Sequence, residues 1–246
     1  MPRYDFHSPR IFVHDALDAG GAIALDRMQA NYLCNVMRLG EGDAVLVFNG
    51  QDGEWRCALH VTGRKAASLL PVEQVRAQPE PADLHYLFAP LKQGRLDYMV
   101  QKAVEMGVSD LVPVLTDYTQ VRRVKDDRLS ANVMEAAEQC GILSLPQLHP
   151  PTSIADYLKV HGDRTLIFCD EEAGGQNPLP HLSGLRGAPL SVLIGPEGGF
   201  SPPEREALLT LANVVRIPLG PRVLRADTAA VAALAVIQAA VGDWCD

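Results

Sequence analysis

The spacing of apolar residues changes character about a third of the way along the chain. Up to residue 76 the apolar runs are short, and turn residues such as Asn49-Gly50 and Asp52-Gly53 separate them. Runs of this kind predict strands joined by tight turns. The predicted strands are 11–13, 44–48 and 55–61, with one helical stretch at about 27–38. We therefore expect a small, mostly β barrel over residues 1–76.

A polar stretch with two prolines, 72–83, is interpreted as a linker. After it, short apolar runs alternate with amphipathic stretches, which is typical of buried parallel strands joined by helices. The predicted strands are 84–89, 111–115, 165–169, 190–194 and 214–217. The predicted helices are 94–106, 126–140, 152–160 and 227–241, with Gly107 as a left-handed cap. The pattern predicts a parallel α/β domain over residues 77–246.

Composition limits the partners and the compartment. With 47% hydrophobic and 21% charged residues the chain is an ordinary globular protein. It has no apolar run long enough for a membrane span and no signal-peptide core, so we expect a cytoplasmic protein without membrane contact. The five cysteines form no C-x-x-C pair and the histidines are scattered. Neither a disulfide framework nor a metal site is expected.

The net charge of −8 argues against RNA binding unless positive side chains converge on one face. Free nucleic-acid binders are usually basic, because phosphate contacts dominate their affinity. The local positive clusters are Arg3 with Arg10, Arg122-Arg123 with Lys125, and Arg222 with Arg225.

The most distinctive local pattern is IGPEGGFSPPE over residues 194–204. Its three glycines follow a predicted buried strand and would let a ligand approach the backbone closely. Ser201 and Glu204 form a capping-box pattern, and Pro202 suits the first position of a helix. We interpret the segment as a strand-to-helix ligand loop. A tight turn that binds nothing is the alternative.

This glycine loop is not a common nucleotide-binding loop. Its spacing, G-x-x-G-G, differs from G-x-G-x-x-G, and no G-K-[ST] sequence is present. A dinucleotide-binding loop also follows the first strand of its sheet, whereas only 47 residues (200–246) follow Gly199. A ligand bound here would lie beside the last strands of the domain.

A second loop, LGPRVLR over residues 219–225, precedes a nearly uniform apolar helix that runs to Val241. Asp227 or Thr228 is a suitable N-cap for that helix. A helix that is apolar on all sides is buried against the sheet, a dimer partner or both. Arg222 and Arg225 either contact an anion or RNA, or form surface salt bridges.

Together the two loops resemble motifs of the SPOUT superfamily, whose members bind S-adenosylmethionine in a trefoil knot. More specifically, the chain resembles the bacterial 16S rRNA (uracil-N3)-methyltransferase family over essentially its whole length. Further matching runs are PRIFV at 9–13, VMRLGEGD at 36–43, LKQGR at 91–95, QKAVEMG at 101–107 and AEQC at 137–140.

The resemblance implies a PUA-like β barrel that docks RNA at 1–76 and a knotted SPOUT methyltransferase domain at 77–246. It implies a homodimer that methylates N3 of a uridine in 16S rRNA within the small ribosomal subunit. The implied cofactor-binding residues are Leu193, Gly195, Pro196, Glu197, Gly198, Leu219, Gly220, Val223 and Leu224. The expected RNA-binding residues are Arg10, Arg38, Lys92, Arg95, Arg122, Arg123 and Arg222.

The chain departs from the family pattern at three sites. Asp227 stands where glutamate is usual, and Ile142 where arginine is usual. Asn31-Tyr32 replaces a segment that often carries histidine. These changes affect the expected contacts with RNA more than the expected fold.

Methylation at N3 requires that the uridine lose its N3 proton. A general base would remove the proton, or cations would stabilise the deprotonated base. The candidate bases are Asp227 and Glu197, and the candidate cations are Arg225 and Arg222. The alternatives are that Asp227 only caps its helix and that Glu197 only shapes its loop.

Two other functions stay open from the sequence. A related knotted methyltransferase could act on tRNA, and a non-catalytic assembly factor could bind RNA through the barrel alone. Arg95 and Lys102, seven residues apart, share a helix face that is either an RNA track or a solvated surface.

Overall fold

The computed structural model describes residues 5, 7–63, 66–173 and 177–245. The chain forms two compact units. One comprises Met1–Glu80 together with Ala137–Leu145, and the other Pro81–Ala136 together with Pro146–Asp246. Residues 137–145 were predicted to lie in the second domain, within 77–246.

Unit 1 is a five-stranded, mostly antiparallel sheet with one helix. Its strands are β1 (Arg10–Phe12), β2 (Ile23–Ala24), β3 (Ala44–Phe48), β4 (Glu54–Gly63) and β5 (Ala66–Arg76), in the spatial order β1-β3-β4-β5-β2. Helix α1 (Arg27–Asn31) continues as a π-helical turn over Tyr32–Val36, where a single α-helix was predicted. Leu33, Val45 and Leu69 are fully buried between helix and sheet.

The predicted linker 72–83 is wrong at its start. Strand β5 runs to Arg76 and pairs with β4, with Gln74 opposite Trp55 and Arg76 opposite Glu54. Its polar side chains are largely exposed while its backbone bonds to β4. Polar composition therefore did not distinguish an exposed strand from a linker, because backbone pairing does not depend on side-chain polarity.

Residues 137–145 belong to unit 1 through hydrogen bonds. Glu138 accepts a hydrogen bond from the Phe12 amide at 2.8 Å, and its carbonyl accepts one from Arg10 at 3.2 Å. Arg76 donates to the carbonyl of Gly141 at 2.8 Å. The family-like run AEQC therefore serves the first unit although it ends a helix that begins in the second.

Unit 2 is a parallel α/β unit, as predicted, but its sheet has seven strands where five were predicted. The two additional strands are short, at 147–148 and at 152–153, where a helix was predicted to begin. Its strands are β6 (Leu84–Phe88), β7 (Asp110–Leu115), β8 (Gln147–Leu148), β9 (Thr152–Ser153), β10 (Thr165–Cys169), β11 (Leu190–Ile194) and β12 (Val214–Ile217). Its helices are α2 (Gln93–Glu105), α3 (Asp126–Cys140), α4 (Ile154–Val160), α5 (Leu179–Leu182), α6 (Pro202–Leu209) and α7 (Ala226–Val241), and a 3-10 turn follows at Asp243–Cys245. Gly107 has φ +75°, which confirms the predicted left-handed cap of α2.

The order of the strands decides where the loops meet. The sheet runs β12-β10-β11-β6-β7-β8, β9 also pairs with β7, and every pairing is parallel. The carboxyl ends of parallel strands lie at one edge, so the loops after β12, β10 and β11 are neighbours there. The loops after β6 and β7 continue the same edge.

Helix α7 starts one residue earlier than the earliest predicted start. Arg225 is its N-cap and Ala226 its first residue, so neither Asp227 nor Thr228 caps it. Ala230, Ala233 and Leu234 are buried, and the helix packs against α2 and α5. No helix in the described ranges is long and apolar enough to cross a membrane.

The turn between β3 and β4 offers a stability test. Gly53 has φ +75°, and a β-carbon there would collide with the Arg76 carbonyl oxygen and lie 2.9 Å from the Gln78 nitrogen. We expect Gly53→Ala to lower the free energy of unfolding of unit 1 by about 2–4 kcal/mol, measured by urea denaturation. Gly42 is the matched control, since its φ is +81° and nothing lies within 4 Å. Gly42→Ala should cost about 1 kcal/mol, and equal losses would contradict this account.

Candidate functional site

A cavity of about 620 Å³ lies at the carboxyl edge of the sheet in unit 2. Three segments line it, one after each of three neighbouring strands: 168–173, 194–200 and 218–226, with Arg205 and Ala229. Both loops singled out in the sequence therefore face one space. Their meeting follows from the order β12-β10-β11.

The first loop leads from β11 into α6. A β-carbon at Gly195 would lie 2.5 Å from the ring of Phe200, so a larger residue here would force this ring to move. Gly199 has φ +70°, a conformation that favours glycine. The Glu204 carboxylate accepts a hydrogen bond from the Ser201 amide at 2.9 Å, which confirms the predicted capping box and helix start.

The second loop leads from β12 into α7. Gly220 has φ +86°, so glycine relieves backbone strain at the turn. Arg222 and Arg225 are exposed beside the cavity. Val223 is 84% exposed, which is unusual for an apolar side chain that lines a cavity. The loop thus presents an apolar contact and two cations to whatever occupies the space.

The third loop, at 170–173, was not predicted from the sequence to line this site. Asp170 is 4% exposed and accepts hydrogen bonds from Arg205 at 2.9 Å and from Arg216 at 2.8 Å. Two arginines therefore hold this buried carboxylate and anchor the loop between α6 and β12. The signal was an acidic run, DEE at 170–172, directly after a predicted buried strand. Without the strand order, nothing in the sequence linked it to the glycine loops.

Arg95 joins the two glycine loops from outside the cavity lining. Its guanidinium donates to both carboxylate oxygens of Asp227, at 2.9 and 3.1 Å, and also to Glu197. The Arg95 and Asp227 side chains are 26% and 17% exposed, so the bidentate pair is partly shielded from water. One residue of α2 thereby connects the loop after β11 with the start of α7.

The hydrogen bonds from Arg95 lower the pKa of the Asp227 carboxyl below its usual value. The same bonds raise the pKa of the Arg95 guanidinium. Asp227 is therefore an ionised and weakly basic carboxylate in this arrangement. It also accepts a hydrogen bond from the Thr228 amide at 3.0 Å.

The predicted cofactor-binding residues lie either in the cavity lining or in the core. All except Leu193 line the cavity: Gly195, Pro196, Glu197, Gly198, Leu219, Gly220, Val223 and Leu224. Leu193 is fully buried in the core behind the loop, in contact with other apolar side chains. Of the candidate catalytic residues, Glu197 and Arg225 line the cavity, whereas Asp227 lies against Arg95.

The predicted RNA contacts lie in different surroundings. Arg10 is 9% exposed and bonded to Glu54 at 2.5 Å, so its guanidinium is directed into unit 1 and away from solvent. Arg95 is engaged by two carboxylates, as described above. Lys92, Arg122, Arg123 and Arg222 are exposed in unit 2, and Arg38 is exposed in unit 1 with φ +60°. Arg3 lies outside the described residues.

Comparison with known proteins gives a consistent result. Residues 78–238 match the model of the RNA methyltransferase domain, and residues 25–72 match that of the RNA methyltransferase PUA domain. The ribosomal RNA small subunit methyltransferase E of Rickettsia conorii is 31% identical over 96% of this chain and 97% of its own length.

Two solved structures share the fold over nearly the whole chain. The ribosomal RNA small subunit methyltransferase E of Neisseria gonorrhoeae, bound to S-adenosyl methionine, has a TM-score of 0.87 at 26% identity, covering 97% of this chain and 100% of that one. A Legionella pneumophila protein in complex with the cofactor SAM has a TM-score of 0.85 at 26% identity, covering 96% and 98%. The chain therefore belongs to the RNA methyltransferase family whose curated members are named ribosomal RNA small subunit methyltransferase E.

Proposed function

We propose that this protein is an S-adenosylmethionine-dependent methyltransferase that modifies N3 of a uridine in 16S rRNA. The observation that carries the proposal is the cavity where two glycine loops and two exposed arginines meet beside three strand ends. The membership of the family supports the same reaction.

The residues around the cavity suit S-adenosylmethionine. The volume of about 620 Å³ falls within the range of about 300–1,000 Å³ that is usual for small-molecule sites. The apolar side chains and glycine backbone of the lining suit the aromatic base of this cofactor. The carboxylates of the lining favour its positively charged group. Burial raises the pKa of the Cys169 thiol, so this side chain lines the cavity as a neutral group.

When bound, S-adenosylmethionine supplies the methyl group. We assign cofactor binding to the eight predicted residues that line the cavity and give Leu193 a supporting role in the core. The trefoil knot implied by the family resemblance stays a prediction.

Among the candidate catalytic groups, the geometry favours the arginines over Asp227. A weakly basic carboxylate that is already bonded to Arg95 is poorly suited to take a proton from uracil N3. Arg225 and Arg222 are exposed beside the cavity, where their charge would stabilise the N3 anion while solvent water takes up the N3 proton. Asp227 and Glu197 then act by accepting hydrogen bonds from Arg95, which holds the two loops in fixed positions relative to each other.

We further propose that the protein is a homodimer that acts in the cytoplasm on the small ribosomal subunit. The face of α7 that carries Val231, Ala232, Ala235 and Val236 is apolar but only half-buried within the chain. Covering this face with a second copy would remove apolar surface from water. A net charge of −8 favours an assembled particle over naked RNA as the substrate.

Calorimetry and mass spectrometry test the reaction. We expect the purified protein to bind S-adenosylmethionine and to methylate small subunits that lack the modification, with the new methyl group mapped to a uridine base of 16S rRNA. Methylation of tRNA alone would support the second kind of enzyme considered above. Absence of cofactor binding would support an RNA-binding factor without catalysis.

Replacing Arg225 tests the electrostatic role. We expect Arg225→Ala to lower kcat by about 10²–10³-fold, since the loss of one stabilising donor commonly has this effect. The cofactor Kd should stay within about threefold, because a charge that acts on the substrate anion adds little to ground-state binding. Arg225→Lys, which keeps the charge, should recover part of kcat. An unchanged kcat in the alanine variant would exclude the role.

A double-mutant cycle on Arg95 and Asp227 tests the link between the loops. We expect Arg95→Ala and Asp227→Ala each to weaken cofactor binding, and the double variant to be little worse than either, with a coupling of about 1–3 kcal/mol. Glu105→Gln is the control, since it disturbs the Lys102–Glu105 pair at the other end of α2. Additive losses from Arg95 and Asp227 would show that the pair does not act as a unit.

A further inference from the structure

The carboxyl edge of the parallel sheet extends beyond the cofactor cavity. After β12, β10 and β11 come β6 and β7, whose loops are 89–92 and 116–125. These two loops belong to the same unit as the cavity. A substrate that reaches the cavity along this edge would pass over them.

The loop after β7 is fastened to the glycine loop and α6. Ser201 donates its hydroxyl hydrogen to Asp117 at 2.6 Å, and the Asp117 amide donates to Glu204 at 2.8 Å. Within the loop, the Thr116 amide donates to the Thr119 hydroxyl at 2.9 Å. The residue between these anchors, Tyr118, is therefore held on a fixed backbone.

Tyr118 lies against the backbone of the cofactor loop and is nevertheless open to solvent. A β-carbon at Gly198 would lie 3.2 Å from Cβ, 3.6 Å from Cγ and 3.7 Å from Cδ2 of Tyr118. The absence of a side chain at Gly198 thus makes room for the tyrosine. Tyr118 remains 48% exposed. Gly198 is one of the residues that line the cavity, whereas Tyr118 lies outside this lining.

Exposed cations surround the far part of the same loop. Arg122, Arg123 and Lys125 are exposed, as is Lys92 at the N-cap of α2. Arg123 and Lys125 also line a second, smaller cavity of about 150 Å³ beside α2. The acidic Asp126 and Asp127 follow in the first turn of α3, where the helix dipole favours negative charge.

An exposed aromatic ring on a fixed backbone, with two exposed arginines four and five residues further along the same loop, is suited to binding unpaired nucleotides. Bases stack on the ring while cations contact the phosphates, and sequence-specific RNA recognition mostly targets such unstacked bases. We propose that Tyr118 stacks the base of a nucleotide flanking the target uridine, with Arg122 and Arg123 on the adjacent phosphates. Tyr118 is thereby a positioning residue for the RNA. This inference rests on the proposed function.

Binding of small ribosomal subunits to Tyr118 variants tests the inference. We expect Tyr118→Ala to raise the Kd for unmodified subunits about tenfold, and Tyr118→Phe to stay near the wild-type value, because stacking needs the ring and not the hydroxyl. Tyr118→Trp should show fluorescence quenching on binding, measured against the wild-type chain with its two tryptophans. The cofactor Kd should be the same in all variants.

The salt dependence separates stacking from charge. Tyr118→Ala should leave the slope of log Kd against log salt unchanged. Arg123→Ala should reduce this slope by about 1, which corresponds to the loss of one phosphate contact. Val160→Ala is a surface control, since Val160 is 79% exposed at the end of α4, which leads into the amino end of β10.

Three outcomes would overturn the inference. If Tyr118→Ala binds subunits with the wild-type Kd while the wild-type chain methylates them, the role of Tyr118 is excluded and the proposed function still holds. Equal losses in Tyr118→Ala and Tyr118→Phe show that the ring is not what matters. If the wild-type chain neither binds nor methylates small subunits, the proposed function fails and the role of Tyr118 fails with it.

Discussion

Parallel pairing of β10 between β11 and β12 is the constraint on which the site depends. The backbone register sets Phe168 beside Leu193 on one side and beside Arg216 on the other, so the three strands end together. The loops that follow them are far apart in sequence and share a single cavity. Each loop alone is an ordinary connection between a strand and a helix.

Side chains then hold the three loops in position. Asp170 gathers Arg205 from α6 and Arg216 from β12. Arg95 of α2 donates hydrogen bonds to Glu197 and Asp227 and so connects the other two loops. These buried or partly buried ion pairs stabilise the arrangement only while both partners are present, because a lone charge left there would be poorly solvated. The carboxylates of Asp170 and Asp227 thus serve to position loops. The exposed charges that line the cavity include Arg222 and Arg225 as well as Glu171 and Glu172.

This distribution reconciles an acidic chain with an RNA substrate. The overall charge of −8 gives no general attraction for nucleic acid. Six exposed cations of unit 2 follow strand ends at the carboxyl edge: Lys92, Arg122, Arg123, Lys125, Arg222 and Arg225. Others, such as Lys159 and Arg186, are exposed away from this edge. Specific recognition would then depend on this local group of cations and on shape, which suits a structured particle better than free RNA.

The sequence by itself determined most of the longer strands and helices, and the tertiary structure decided their neighbours and added short elements such as β8, β9 and α5. Apolar runs such as 165–169 and 190–194, and the capping box at Ser201, are local signals, and the strands and helix appear where these predict. The end of strand β5 was not predicted, because its side chains there are mostly polar and exposed and show no alternation of apolar residues. The loop at Asp170 and the partners of Arg10 and Arg95 were also missed, because they join residues distant in sequence. Strand order and ion pairing depend on how the whole chain packs, and no local pattern of residues encodes that.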